Sequence, residues 1–247
     1  MSTQNRLIAG NWKMNCLGAD AVTLARGITE KAAGAAPPCD VAVCPPFTAL
    51  HAVAAVLDGS PVALGGQDCH EAASGAFTGS VSPAMLVDVG CRYAIVGHSE
   101  RRQDLGETNA MVLGKAAGAI GAGLVPIICV GETLEERGDG RANEVVSAQI
   151  AGSVPPEGGM VVVAYEPVWA IGTGKTASLD DIAGMHDHIR LQLARVRDDG
   201  ADIPIQYGGS AKPENAAQIL SIENVGGLLV GGASLEAGSF WEIVQAA

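Results

Sequence analysis

Glu166 stands directly after Met160-Val161-Val162-Val163-Ala164-Tyr165, an apolar, β-branched run that reads as a buried strand, and directly before Pro167. Proline cannot donate to a β-ladder and biases its predecessor towards an extended backbone, so the carboxylate is fixed in direction at a strand end. The segment from Pro167 to Ala177 has small residues at both bends (Ala170, Gly172, Gly174) and an apolar centre (Trp169, Ile171). That is the composition of a loop that closes over something. A carboxylate base beside a hinged cover suits chemistry from which water must be excluded. Other polar groups follow apolar runs in the same way: Asn11 and Lys13 in Gly10-Asn11-Trp12-Lys13-Met14-Asn15, His98 in Gly97-His98-Ser99-Glu100-Arg101-Arg102, and Ser210 after Tyr207-Gly208-Gly209. Ser99 and Glu100 are suited to start a short helix, and a helix N-terminus disfavours imidazolium, so His98 fits a neutral donor that polarises a carbonyl. Gly208-Gly209 and Gly231-Gly232 let backbone N–H groups approach an anion closely. Taken singly, these features are common: most lysines are solvated, a lone histidine is more often structural, and Gly-Gly often marks only a turn.

For these residues to meet, strand ends must converge. Short apolar runs alternate with longer helical patterns along the whole chain. The strands read as Arg6–Asn11, Asp40–Cys44, Val62–Gly65, Tyr93–Gly97, Leu124–Val130, a run ending at Glu166, Ile203–Tyr207 and Gly227–Val230. Helices are predicted over Ala19–Ala33, Thr48–Leu57, Pro83–Val89 and Thr108–Ile120, in two pieces within Glu132–Ile150, and over Leu235–Val244 after Ser234. Apolar spacing at Ile182, Met185, Ile189, Leu193 and Val196 marks another, capped by Ser178-Leu179-Asp180-Asp181, and Pro213 opens one more. Eight strand-helix units of about 30 residues predict an α/β fold, a parallel (β/α)8 barrel with right-handed crossovers, as one domain over residues 1–247. In such a barrel Asn11, Lys13, His98, Glu166, Ser210, Gly231 and Gly232 share one mouth, and Gly172 adds an N–H when the cover shuts. An open doubly wound sheet is the rival fold. Its dinucleotide fingerprint would follow the first strand, where Gly10-Asn11-Trp12-Lys13 stands instead.

The chain has 247 residues, 48% hydrophobic and 17% charged, with no run long enough to be an interdomain linker. A formal net charge of −12 argues against a nucleic-acid partner, so a small anionic substrate would be held by local groups such as one lysine and backbone donors. The six cysteines show no CxxC and no zinc-like Cys/His spacing; they read as reduced thiols, which points to the cytoplasm. No apolar run approaches the ~18 residues of a membrane span, and no signal segment is expected. Neither a metal nor a cofactor is expected.

The segment Ala164-Tyr165-Glu166-Pro167-Val168-Trp169-Ala170-Ile171-Gly172-Thr173-Gly174-Lys175 resembles the lid signature of the triosephosphate isomerases. The blocks around Lys13, Gly75-Ala76-Phe77-Thr78-Gly79-Ser80, His98, Ser210 and Gly231 resemble that family too, so the likeness spans essentially the whole chain. It implies a TIM barrel, a homodimer and a small phosphorylated triose as substrate, with no cofactor. It also implies that Glu166 takes a proton from carbon, that His98 and Lys13 stabilise charge on the oxygens, that Asn11 helps orient the site, and that Gly172, Ser210, Gly231 and Gly232 hold the phosphate. A Glu base, a neutral His and a closing loop form a pattern for which this family is itself the standard worked case. Met14, Asn15 and Thr78 are implied at the subunit interface, the last within a long connection, Gln67 to Thr78, of the kind that is usually functional. The chain departs from the family at Asp68, where Asn is usual, at Ser80, where Glu is usual, and at Leu105, where an aromatic is usual. The role of Glu100 is left open by the resemblance.

Two other readings use the same barrel. A phosphosugar epimerase would need a second acid/base or metal ligands at other strand ends, and Pro45-Pro46 and Gly65-Gly66 offer none. A silent anion-binding barrel would keep the glycine cradle and lose the base, against which Glu166 and His98 argue.

Overall fold

Eight parallel strands close on themselves in chain order: β1 (Leu7–Asn11), β2 (Asp40–Cys44), β3 (Val62–Gly66), β4 (Cys91–Val96), β5 (Val125–Val130), β6 (Val162–Tyr165), β7 (Ile205–Tyr207) and β8 (Gly227–Val230). β8 pairs with β1, Leu7 opposite Gly227, which completes the cylinder. The computed structural model describes residues 6–170 and 176–247. Around the strands run α1 (Gly18–Gly34), α2 (Leu50–Leu57), α3 (Pro83–Asp88), α4 (Ser99–Asp104), α5 (Asn109–Gly121), α6 (Leu134–Gly138), α7 (Ala142–Ser153), α8 (Leu179–Val196), α9 (Pro213–Leu220) and α10 (Ala237–Gln245).

Strand alternation sorts the apolar side chains into two layers. Leu7, Ala9, Cys44, Ile95, Cys129 and Ala164 pack with one another inside the cylinder, while Ile8, Val43, Val96, Val130 and Val163 belong to a larger cluster shared with the helices. Asn11 continues the inward phase of Leu7 and Ala9, and Glu166 that of Val162 and Ala164. Two side chains far apart in sequence are thereby aimed at one end of the barrel.

The element boundaries differ from the sequence reading in two places that matter. β6 ends at Tyr165, although the Glu166 N–H still donates to the Val130 carbonyl at 2.8 Å. Pro167, without an N–H, ends the ladder there. The last helix starts at Ala237 because Glu236 caps it, its carboxylate accepting from Gly238 N and Ser239 N at 3.0 and 2.6 Å. Ser234 turns back to the Gly231 carbonyl at 2.7 Å, within a 3₁₀ turn over Gly232–Leu235. The start of α8 is as expected: Ser178 and Asp181 form a reciprocal capping box.

Candidate active site

Glu166 is 1% exposed, and both its oxygens are engaged. Oε1 lies 2.8 Å from His98 Nε2, and Oε2 accepts from the Ser99 backbone N–H at 2.9 Å. His98 reaches this position because Gly97, at φ +65°, breaks the strand's alternation; a Cβ there would also meet Val112 at 2.7 Å. The imidazole then caps α4, Nδ1 accepting from Glu100 N at 3.3 Å. A ring that accepts at Nδ1 and faces a carboxylate at Nε2 carries its proton on Nε2.

Burial pushes the Glu166 pKa up, but His98, the Ser99 N–H and Lys13 more than offset it and hold the carboxyl below its ordinary value. Burial pushes His98 down, but the Glu166 carboxylate beside it wins and leaves the ring above its ordinary value. The helix terminus alone, which favours a neutral ring, is thus opposed for as long as the two side chains touch.

Lys13 occupies the left-handed region at φ +52°, a conformation that costs a non-glycine residue about 1–3 kcal/mol and needs surrounding bonds to hold it. Those bonds are present. Lys13 N–H donates to Asn11 Oδ1 at 3.0 Å, and Gln67 Nε2 donates to the Lys13 and Cys44 carbonyls, both at 2.8 Å. The strained turn directs Nζ across the mouth to Glu100 Oε1 at 2.6 Å. Glu100 Oε2 lies 3.6 Å from His98 Nδ1, so this carboxylate stands between the ammonium and the imidazole.

A cavity of about 660 Å³ opens over these groups, lined by Asn11, Lys13, His98, Glu166, Ser210, Gly231 and Gly232 among others. The structure therefore gathers in one cavity each described residue that was expected at the barrel mouth. Gly172, with Ile171 to Lys175, lies outside the described residues. Asn15 lines the cavity as well, while Met14, 96% exposed, and the exposed Thr78 do not. Among the described residues no group of three or more His, Cys, Asp or Glu is placed to hold a metal ion.

Several contributors escaped the sequence reading. Lys212 lines the cavity and adds a cation near Ser210. At Gly131 a Cβ would sit 1.7 Å from the Glu166 carbonyl oxygen, so only glycine lets β6 deliver the carboxylate there. Glu132, fully buried, accepts from Tyr165 Oη at 3.2 Å, Trp169 Nε1 at 2.8 Å and Arg137 at 3.1 Å, and Arg137 also lies over the Trp169 ring and bonds Asp181. The entry to the expected cover is thus tied to the capping box at its exit. The Thr133–Glu136 capping box was a signal for a helix start here, but nothing local pointed to Trp169.

A second charged cluster abuts the first. Asp68 binds Lys115 at 2.7 Å and Arg101 at 2.8 Å, and Glu107 binds Arg101 at 2.6 Å and also Lys115. Ser80 and Leu105 line the adjoining cavity with Phe47 and Met111, so all three departures from the family pattern fall around one surface hollow.

A sequence model of the family described as triosephosphate isomerase matches residues 6–247. The triosephosphate isomerase of Afipia carboxidovorans is 54% identical, over 97% of this chain and 96% of that one. That of Ruegeria pomeroyi is 52% identical, over 98% and 97%. The crystal structure of triosephosphate isomerase from Bartonella henselae superposes with a TM-score of 0.89 at 40% identity, covering 98% of both chains.

Proposed function

The chain belongs to the triosephosphate isomerase family, and from that premise we propose the roles its residues take in the reaction. The enzyme interconverts dihydroxyacetone phosphate and D-glyceraldehyde 3-phosphate, a step of glycolysis. Glu166 is the base. It leaves its bonds to His98 and Ser99, takes the proton from the carbon beside the carbonyl, and returns it to the neighbouring carbon. The electron pair released passes to the carbonyl oxygen and gives an enediolate, which the His98 Nε2–H and the Lys13 ammonium stabilise; the proton of the adjoining hydroxyl then passes to the former carbonyl oxygen, so that reprotonation of the second carbon leaves the carbonyl on the first. Once Glu166 moves to the substrate, the influence that raises the His98 pKa moves with it, and burial and the Glu100 N–H favour the neutral ring. Asn11 orients Lys13 through the bond to its N–H. Backbone N–H groups at Ser210, Gly231 and Gly232 receive the phosphate, and Gly172 contributes another on closure.

The single observation that carries this reading is the meeting of Glu166, His98 and Lys13 in one cavity, the carboxylate 2.8 Å from the imidazole. A coupled assay of aldose–ketose interconversion in heavy water tests it. Product carrying deuterium at the carbon that received the proton is expected; complete retention of substrate hydrogen would exclude an exchanging base. Lys13→Met should weaken both turnover and the binding of a phosphoglycolate-type ligand, since the protein carries a net charge of −12 and this ammonium is the central cation of the cavity.

We read residues 1–247 as one barrel domain acting as a homodimer in the cytoplasm. The exposure of Met14 (96%), Leu17 (80%) and Leu105 (62%), with Thr78 also exposed, supports a partner surface. Six cysteines, all free, support a reducing compartment. No helix among the described residues is long and apolar enough to cross a membrane. Sedimentation distinguishes dimer from monomer and from tetramer.

A further inference from the structure

Arg102 lies behind Glu166, and no step above uses it. Its guanidinium donates to four acceptors: Nε to the Gly97 carbonyl at 2.8 Å, one terminal nitrogen to Asn109 Oδ1 at 2.7 Å, and the other to the Cys129 carbonyl and the Ser153 hydroxyl, both at 3.1 Å. None of these carries a charge. Its neighbour Arg101 has two carboxylates in contact, whereas Arg102 has none among the described residues. A guanidinium half-withdrawn from water among neutral acceptors is costly unless an anion nearby answers its charge.

The geometry names that anion. A cavity of about 130 Å³ is lined by both Arg102 and Glu166, together with Gly97, Cys129, Gly131 and Gln149. Glu107 is taken by Lys115 and Arg101, and Lys13 is taken by Glu100. Of the two carboxylates that line this cavity, Glu136 is turned to the Thr133 N–H and hydroxyl, at 2.8 and 3.0 Å, which leaves Glu166, with no permanent cation bonded to it, as the one that answers Arg102. The two carbonyls that Arg102 grips belong to the backbone on either side of the site. Gly97 immediately precedes His98, and Cys129 precedes Val130, whose carbonyl receives the Glu166 N–H at 2.8 Å.

We propose that Arg102 is a positioning residue for the isomerisation: it joins the ends of β4 and β5, which set His98 against Glu166, and serves Glu166 as counter-charge across the small cavity. The inference rests on the reading of Glu166 as the base. Burial pulls the Arg102 pKa down, and Cys129, Glu166 and Glu107 act in the opposite direction. The titratable and charged groups facing Glu166 are thus His98 on the segment that opens α4, Lys13 after β1, Cys129 on β5 and Arg102 on α4.

The test compares Arg102→Met and Arg102→Lys with the wild type in kcat, KM, thermal stability and the acid limb of the pH profile, where the substrate's own ionisation cancels between variants. Arg102→Met should lose ~10²-fold in kcat with KM nearly unchanged. Its acid limb should move to higher pH by about half a unit or more, because a carboxylate that loses a nearby cation is harder to ionise. Arg102→Lys keeps the charge but cannot span four acceptors, so its kcat should fall while its acid limb stays in place. An unmoved acid limb in Arg102→Met, or kcat near wild type in Arg102→Lys, overturns the proposal. If Arg102→Met does not fold, Arg102→Lys decides alone by the same two readings. A wild-type protein without isomerase activity would instead overturn the assignment of the base, so the two failures are distinct.

Discussion

His98 and Ser99 open the segment of α4 that faces Glu166, and Arg101, in the same helix, faces Asp68 and Glu107. The two clusters are neighbours built from the same residue types, but they are wired differently. Around Lys115 and Arg101, two permanent cations are crossed with two carboxylates, and each carboxylate touches both. Around Glu166, the partners are a backbone N–H and an imidazole whose charge depends on its surroundings, while the one nearby ammonium is held by Glu100. Crossed permanent charges make a fixed brace, since no member can leave without losing two ion pairs at once. Conditional donors hold a carboxylate ionised and still let it leave. The same chemistry thus serves as structure on one side of a short helix and as a base on the other.

The largest effect that would sharpen this contrast is on the catalytic side. Glu166→Gln should lower kcat by ~10²–10⁴, the range for general acid–base catalysis. Turnover close to wild type in the coupled assay would remove the base from the account. On the other side, Lys115→Met should destabilise the fold by about 3–5 kcal/mol in urea titration and leave kcat per folded molecule almost untouched. A large loss of kcat in that variant would mean that the clusters are not separable.

A third buried group carries the comparison to its limit. His186 in α8 packs near the rings of Tyr165 and Tyr207, with Nδ1 3.2 Å from the Asn224 carbonyl and Nε2 without a hydrogen-bond partner. Burial pushes its pKa down to about 4, with Arg190 acting the same way and the Asn224 carbonyl and Asp187 against it. The folded state therefore binds this proton less readily than the unfolded chain does. Stability should fall as pH drops from the ordinary histidine value towards about 4, by about 3 kcal/mol in all, and this loss should be absent at higher pH. His186→Gln should flatten that part of the stability–pH curve, and an unchanged slope would refute the linkage.

The smallest effect lies within the brace. Burial wins at Asp68, raising its pKa despite Lys115 and Arg101, whereas at Glu107 the same two cations outweigh burial and lower it. The ionised form is thus penalised at one position and favoured at the other. Asp68→Asn keeps an acceptor for Lys115 and should change stability by no more than about 1 kcal/mol, well below the cost of Glu107→Gln. Equal losses in the two variants would contradict the opposite shifts.

Much of this was legible in the chain. The alternation of apolar runs with helical periods gave the eight strands, and Ser178 and Pro213 mark helix starts where the structure has them. Glu166, His98 and Lys13 stood out because each follows a strand. What stayed hidden was held by long-range contact. Gly131 is needed only because Glu166, 35 positions later in the sequence, passes within van der Waals contact of it. Gln67 fixes the strained Lys13 from another loop, and Glu132 reaches Trp169 across 37 positions. The four acceptors of Arg102 come from four separate elements or turns. The last helix starts at Ala237 and not at Leu235 because the chain first tightens into a 3₁₀ turn that sequence spacing does not announce.

The sequence by itself determined the strand phase, and with it that Asn11 and Glu166 face inward at one end, because alternation is a local property of extended chain. It also determined that backbone freedom is concentrated beside the polar residues. Only the tertiary structure decided which charges are answered and by what. Ion pairs and close backbone approaches depend on distances between elements set by closure of the whole cylinder, and no window of neighbouring residues contains them.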